Sequence, residues 1–219
     1  MFNKDIVFFI PTFLEAEKLL NISDFKVYNS FNISYYKSYP VVITGCGKTN
    51  AAFTSALFFS QFKVKYPILT GICGAYYNSG LNIGDVVTIK NDFFVDECNY
   101  DGKNITLLHE KGFILANDNC GKFQITDSFK QVDSNTVSFI PQFNSLSNKY
   151  HLKTNALVEN MEGASFGNSA NKFNVLPQQV RAVSNYCGDI KTQNWDIKTA
   201  GKNLKNALDL LINTYVQLS

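Results

Sequence analysis

Short apolar runs of strand length, each closed by a turn and followed by a helical segment, recur along the first third of this 219-residue chain. Ile6–Ile10 is a continuous apolar run that ends at Pro11-Thr12, and residues 13–20 then have the composition of a helix. Residues 41–43 lead through a glycine turn into an Ala- and Phe-rich helix, and residues 68–74 end in a further glycine turn. Continuous apolar runs are typical of strands that are buried on both faces. The pattern predicts an α/β domain with its ligand site at the carboxyl edge of the sheet.

The composition excludes several classes of protein. Hydrophobic residues make up 45% of the chain, with 19 Phe and 11 Tyr, so the chain is not intrinsically disordered. Twenty basic and 18 acidic residues give a formal net charge of +2, which is too even for a nucleic-acid-binding surface. The longest apolar runs are far shorter than a membrane span, and we expect no signal peptide.

The cysteines and histidines give no metal or disulfide pattern. Five Cys form no CxxC pair, and the two His are far apart, so we expect reduced thiols, no metal, no cofactor and a cytoplasmic protein. We find no internal repeat or linker and predict a single domain over residues 1–219. The polar residues 91–150 have weak periodicity and are expected to form irregular strands and loops. A strong helical stripe of apolar residues begins after Asp196 and is interpreted as core packing.

Gly47-Lys48-Thr49 superficially matches a phosphate-binding loop. The Walker pattern requires Gly where this chain has Val42, and the dinucleotide fingerprint requires Gly where it has Asn50. The sequence therefore indicates a tight glycine turn rather than a nucleotide phosphate site.

Candidate site residues cluster at predicted strand ends. Met161-Glu162 places a carboxylate beside an apolar surface, and the strand at 179–183 ends on the polar pair Ser184-Asn185. Glu15 and Glu17 follow the first strand, at the predicted carboxyl edge of the sheet. Both could be solvated helix charges, so the sequence leaves open which of them serves chemistry.

Five blocks, in order, resemble the purine nucleoside phosphorylase/nucleosidase superfamily. The blocks are V-I-T-G-C-G-K-T-N-A-A (42–52), L-T-G-I-C-G-A (69–75), I-G-D-V-V (83–87), N-M-E-G-A (160–164) and V-R-A-V-S-N (180–185). The resemblance implies a three-layer α/β/α fold around a central twisted mixed β-sheet, and a homodimer or higher homo-oligomer. Phosphorylases of this kind carry an arginine before the Gly-x-Cys-Gly turn, where this chain has Leu69-Thr70. Water is then favoured over phosphate as the nucleophile.

The segment 184–204 and the start P-T-F-L-E-A (11–16) resemble the futalosine hydrolase branch, whose members split futalosine into hypoxanthine and dehypoxanthine futalosine in menaquinone biosynthesis. The adenine-cleaving nucleosidases have an Asp where this chain has Asn185. An Asn amide donates to both N7 and O6 of a 6-oxopurine, which favours hypoxanthine or guanine over adenine. An adenine-releasing nucleosidase, a phosphorylase and a non-catalytic nucleoside-binding relative remain alternatives.

The resemblance assigns roles to particular residues. Glu162 would bind the ribose hydroxyls, Met161 would pack on the sugar, and Asn185, oriented by Ser184, would hold the departing base. Glu15 would activate water, although an ungapped register on the adenine-cleaving relatives places Ala16 at that position. Backbone contacts to the base and an aromatic cover for the ring complete the expected site, from Thr70, Gly71, Ile72 and Gly74 for the backbone and from Phe139, Phe143 or Trp195 for the cover.

Overall fold

The computed structural model describes residues 5–113, 119–140, 143–191 and 193–217. Within these ranges the strands are β1 Ile6–Ile10, β2 Lys26–Tyr28, β3 Phe31–Tyr36, β4 Tyr39–Ile43, β5 Tyr66–Ala75, β6 Val86–Phe94, β7 Cys98–Tyr100, β8 Ile105–Leu107, β9 Cys120–Lys122, β10 Lys130–Thr136, β11 Val158–Asn160 and β12 Gln178–Tyr186. The helices are α1 Phe13–Leu20, α2 Gly47–Gln61, α3 Asn144–Thr154, α4 Gly163–Lys172 and α5 Ile197–Gln217, with a 3-10 turn at Leu108–Lys111.

A mixed sheet with the strand order β11-β10-β6-β12-β5-β1-β4-β3-β2 forms the centre of the molecule. Strands β4, β1, β5 and β12 are parallel neighbours, so their carboxyl ends lie along one edge. Strand β6 runs antiparallel to β12 and parallel to β10. Strand β11 pairs with β10 and also, antiparallel, with the end of β5. This second pairing brings β11 to the edge where the parallel strands end.

Helices cover both faces of the sheet, because the strands are apolar on both sides. Along β1, Phe8 and Ile10 pack into a core with α1 and α5, whereas Val7 and Phe9 pack into a core with α2 and α4. Successive strand side chains point to opposite faces, so one apolar run serves two cores. Phe9 contacts the ring of Phe166 on α4 with centroids 4.9 Å apart. The predicted three-layer α/β/α architecture is confirmed.

The apolar strands and the C-terminal helix match the sequence-based expectation, but residues 91–150 are more regular than expected. Strand β10 lies in this region, and helix α3 begins in it. Strand β10 was hard to recognise because its buried positions include Ser134, Asn135 and Thr136, which are polar. In α3 only Ser147 and Tyr150 are buried, so the helix has no apolar stripe.

In the part of the chain that the structure describes, no helix is both long and apolar enough to cross a membrane.

Candidate active site

A concave pocket opens at the edge where β5 and β12 end, and β11 closes one side of it. Seven of the residues singled out in the sequence line this pocket: Glu15, Ile72, Gly74, Met161, Glu162, Asn185 and Trp195. They come from segments more than 150 residues apart, so the fold gathers them. The pocket lies where the start of α1, the ends of β5, β11 and β12, and the N-terminal cap of α4 meet.

Glu15 lies in the first turn of α1 and is directed at the pocket by its neighbours. Thr12 caps the helix, accepting from the Glu15 backbone N–H at 3.0 Å and donating its hydroxyl to Glu15 Oε2 at 3.0 Å. The backbone N–H of Ile72 donates to Glu15 Oε1 at 3.3 Å. Gly71 makes room for this contact, because a Cβ there would lie 2.8 Å from Glu15 Oε1.

The surroundings of Glu15 change its acidity. Burial and then the negative charge of Glu162 raise the pKa of Glu15 to about 7, although Arg181 opposes them. A carboxyl group with a pKa near 7 is suited to proton transfer at neutral pH.

Glu17, the other carboxylate considered, lies on the opposite side of α1. Its side chain is 56% exposed and its carboxylate is 3.6 Å from Lys18 Nζ. The structure therefore brings Glu15 and not Glu17 to the pocket.

Glu162 precedes α4 and is held by two donors. The backbone N–H of Gly47, in the glycine turn after β4, donates to Glu162 Oε1 at 3.1 Å. The buried guanidinium of Arg181 donates to Glu162 Oε2 at 3.4 Å. The glycine turn therefore donates a hydrogen bond to a carboxylate of the same chain. The salt bridge and a ligand-binding role are compatible, because Glu162 also lines the pocket.

A buried polar network supports Glu162 from below. Asn160 Oδ1 accepts from the backbone N–H groups of Glu162 and Gly163 at 2.9 and 2.7 Å, and Asn160 Nδ2 donates to Asp92 Oδ2 at 2.6 Å. Gln179 Nε2 also donates to Asp92 Oδ2, at 2.8 Å. Burial raises the pKa of Asp92, opposed by the hydrogen bonds it accepts. The network fixes the turn that presents Met161 and Glu162.

Asn185 lies near the end of β12 with its amide held at both ends. Ser184 Oγ donates to Asn185 Oδ1 at 2.8 Å, and Asn185 Nδ2 donates to Gln193 Oε1 at 3.0 Å and to the backbone carbonyl of Tyr186 at 3.3 Å. With its oxygen engaged by Ser184, the amide presents its NH₂ group towards Gln193, another residue of the pocket lining. Ser184 itself is fully buried and acts through Asn185.

Besides Ser184, four predicted residues lie outside the pocket lining. Thr70 is fully buried inside β5, and Gly71 contacts Glu15 from behind. Phe139 is 49% exposed and does not line the pocket, and neither does Phe143, which is 70% exposed. Of the three aromatic candidates for covering a ring, only Trp195 lies at the pocket, because the other two side chains point to solvent.

The sequence did not single out the remaining residues of the lining, which are Cys46, Cys73, Val137, Ile140, Glu159, Asn160 and Gln193. Asn160 and Glu159 adjoin the Met161-Glu162 motif in the sequence, so they could have been predicted as neighbours of that motif. Val137, Ile140 and Gln193 lie in loops and carry no sequence signal. Cys46 faces Glu162, and burial, followed by the charge of Glu162, raises the pKa of its thiol.

The described residues contain no group of three or more His, Cys, Asp or Glu side chains arranged to hold a metal ion.

A three-layer α/β/α fold with an acidic pocket at the carboxyl edge of its parallel strands has the usual layout of an α/β domain that binds a small molecule. The chain belongs to the Phosphorylase superfamily, whose sequence profile matches residues 6–214.

Individual relatives agree with this assignment. A 5'-methylthioadenosine/S-adenosylhomocysteine nucleosidase of Desulfotalea psychrophila is 24% identical over 190 residues, covering 80% of this chain and 78% of the relative. A futalosine hydrolase mutant of Helicobacter pylori superposes with a TM-score of 0.69 and 17% identity, covering 93% of this chain and 98% of that structure. The Campylobacter jejuni 5'-methylthioadenosine/S-adenosylhomocysteine nucleosidase gives 0.70 and 18%, with coverage of 95% and 97%. At these identities the structural likeness establishes the fold.

Proposed function

We propose that this protein is a nucleosidase that hydrolyses the N-glycosidic bond of futalosine, releasing hypoxanthine and dehypoxanthine futalosine for menaquinone biosynthesis. The observation that carries this proposal is the Ser184–Asn185 pair, which places an amide NH₂ at the pocket where an adenine-cleaving enzyme would need an acid. A 6-oxopurine presents acceptors at N7 and O6, and the amide donates to both.

The reaction would pass through an oxocarbenium-like ribosyl cation. Glu162 would bind the ribose hydroxyls, and its charge would stabilise the cation. Glu15 would take a proton from the attacking water, for which its pKa of about 7 is well matched. Asn185 would stabilise negative charge on the departing base. Met161 would pack against the sugar, and the indole of Trp195, at the pocket, would cover the ligand.

Water is favoured over phosphate because the pocket is acidic. Among the described residues of its lining, Glu15, Glu159 and Glu162 are carboxylates and none is Lys or Arg. Arg181 lies behind the pocket, only 1% exposed, and already donates to Glu162. Phosphate would meet like charges without a bidentate partner.

The alternative is an adenine-releasing methylthioadenosine/S-adenosylhomocysteine nucleosidase, which the names of several relatives favour. Asn185 argues against it, because an amide gives up no proton to N7 of adenine. A phosphorylase and a non-catalytic nucleoside-binding protein are further alternatives.

Base release from futalosine, inosine and methylthioadenosine, measured by chromatography with and without phosphate, tests these alternatives together. We expect hypoxanthine release from futalosine at a rate independent of phosphate. Adenine release from methylthioadenosine as the preferred reaction would refute the base assignment, and a requirement for phosphate would refute hydrolysis. Binding without cleavage of any substrate would identify a non-catalytic relative.

We further propose a homodimer or higher homo-oligomer, which sedimentation analysis would test.

A further inference from the structure

Lys48 is the lysine of the Gly-Lys-Thr motif, and the proposed reaction does not use it. It lies in the first turn of α2, and its side chain is only 14% exposed. Its ammonium group pairs with Asp96 Oδ1, lies 3.4 Å from Glu97 Oε1 and lies 5.5 Å from the centre of the Phe94 ring. The positive charge is therefore satisfied within the chain, by carboxylates of the segment that follows β6.

Asp96 connects this ammonium group to one part of the pocket wall. The Asp96 side chain is 7% exposed, and its second oxygen, Oδ2, accepts a hydrogen bond from the backbone N–H of Ser138 at 2.6 Å. Ser138 lies between Val137 and Ile140, which both line the pocket. The backbone N–H of Val137 donates to the carbonyl of Asn160 at 2.9 Å. The chain that leaves β10 is therefore held at Val137 by β11 and at Ser138 by Asp96.

The backbone of Lys48 belongs to a different part of the pocket wall. Gly47, the residue before it, donates its N–H to Glu162 Oε1 at 3.1 Å, and Cys46 lines the pocket. The Lys48–Asp96 ion pair therefore joins the glycine turn to residues 137–140. Removing one partner of a buried ion pair leaves the other charge unpaired where little water reaches it. Without Lys48, Asp96 would have to move to reach water, and Ser138 would lose its acceptor.

We propose that Lys48 is a positioning residue, which through Asp96 sets the distance between the glycine turn and residues 137–140 and thus the fit of the nucleoside between them. This inference deepens the proposed function and rests on it for the choice of substrate. Glu15 and Asn185 are held by other residues, so loss of the ion pair should weaken substrate binding more than it slows the chemical step.

Steady-state kinetics of Lys48→Met and Lys48→Arg on futalosine test this role. We expect Lys48→Met to raise KM by about 10- to 100-fold and to change kcat by less than about threefold, because the pocket is misshapen while the reacting groups stay in place. Lys48→Arg keeps a cation opposite Asp96 and should recover most of the affinity. Lys37→Met is the matched control, since it removes an ion pair with Asp209 whose side chains are 55% and 38% exposed.

Urea unfolding would check that Lys48→Met is folded. If it is not, Lys48→Gln takes its place, because its amide can still donate to Asp96 without carrying the charge. The expected rise in KM is then smaller, at least about threefold, because a neutral donor bonds a carboxylate less strongly than a charged one.

The outcomes separate this inference from the proposed function. An unchanged KM, a loss confined to kcat, or an equal rise in KM in Lys37→Met overturns the positioning role while futalosine hydrolysis stands. If wild type cleaves methylthioadenosine and not futalosine, the proposed function fails, and the same comparison on methylthioadenosine decides the role of Lys48. If it cleaves neither, the Kd for hypoxanthine and adenine, from the fluorescence of Trp195, the single Trp of the chain, replaces KM. A rise confined to Lys48→Met and reversed in Lys48→Arg supports the inference.

Discussion

Replacing Glu15 by Gln tests the assignment of the general base. Gln keeps the shape of the side chain, its Oε1 can still accept from Ile72 N–H, and its Nε2 can donate to Thr12 Oγ1. The variant cannot take a proton from water, so we expect kcat to fall by about 10²- to 10⁴-fold with KM little changed. Hypoxanthine release from futalosine is the assay.

The pH dependence of the wild-type enzyme provides a second test of Glu15. A general base acts only when ionised, and the pKa of Glu15 is about 7 in the free protein. We therefore expect kcat/KM to fall about tenfold for each pH unit below 7 and to level off above it. Asn185 does not titrate, so it contributes no loss of activity at higher pH.

The same carboxyl group makes Glu15→Gln a stability experiment. Its pKa rises from 4.5 to about 7 on folding. At 1.36 kcal/mol per pH unit, ionising Glu15 lowers the free energy of unfolding by at most about 3 kcal/mol. This loss is absent below pH 4.5, where Glu15 is protonated in both the folded and the unfolded state, grows between pH 4.5 and 7, and is complete above 7. Glu15→Gln should therefore be more stable than wild type at pH 8 and nearly equal at pH 4.5, as measured by urea unfolding.

Glu17→Gln is the matched control, because the Glu17 side chain is 56% exposed on the same helix. It should leave both activity and stability unchanged. Full activity in Glu15→Gln would refute the catalytic role, and a lower stability than wild type at pH 8 would refute the argument from burial.

Two further substitutions test contacts that hold the site residues in place. Arg181→Met removes the buried partner of Glu162, and we expect the free energy of unfolding, measured in urea, to fall by about 3–5 kcal/mol; a loss below about 1 kcal/mol would contradict the pairing. Ser184→Ala removes the donor to Asn185 Oδ1, a hydrogen bond contributing about 1 kcal/mol, so kcat/KM for futalosine should fall about fivefold. An unchanged kcat/KM in Ser184→Ala would show that Asn185 is oriented without Ser184.

The main elements of the fold could be predicted because their signals are local. The apolar run Ile6–Ile10 has to be buried on both faces, and both of its faces pack into cores in the structure. The C-terminal helix could be predicted from its apolar stripe. Strand β10 and helix α3 could not be recognised, because most of their buried positions are polar and are satisfied by contacts with distant segments, such as Asn135 Nδ2 with Tyr76 Oη at 3.0 Å.

The sequence also placed Glu162 and Asn185 in the site, since each follows from a motif contained in a few neighbouring residues. The choice between Glu15 and Glu17 depended on the direction in which the first turn of α1 faces, and that direction is set by the Thr12 cap and by Ile72, 57 residues away. The position of Glu159 depended on the pairing of β11 with β5, which places it across Gly74 from Asn185. Local patterns specify which residues are buried and which end a strand. Which side chains meet is decided by strand pairing between segments far apart in the chain, and only the tertiary structure contains that information.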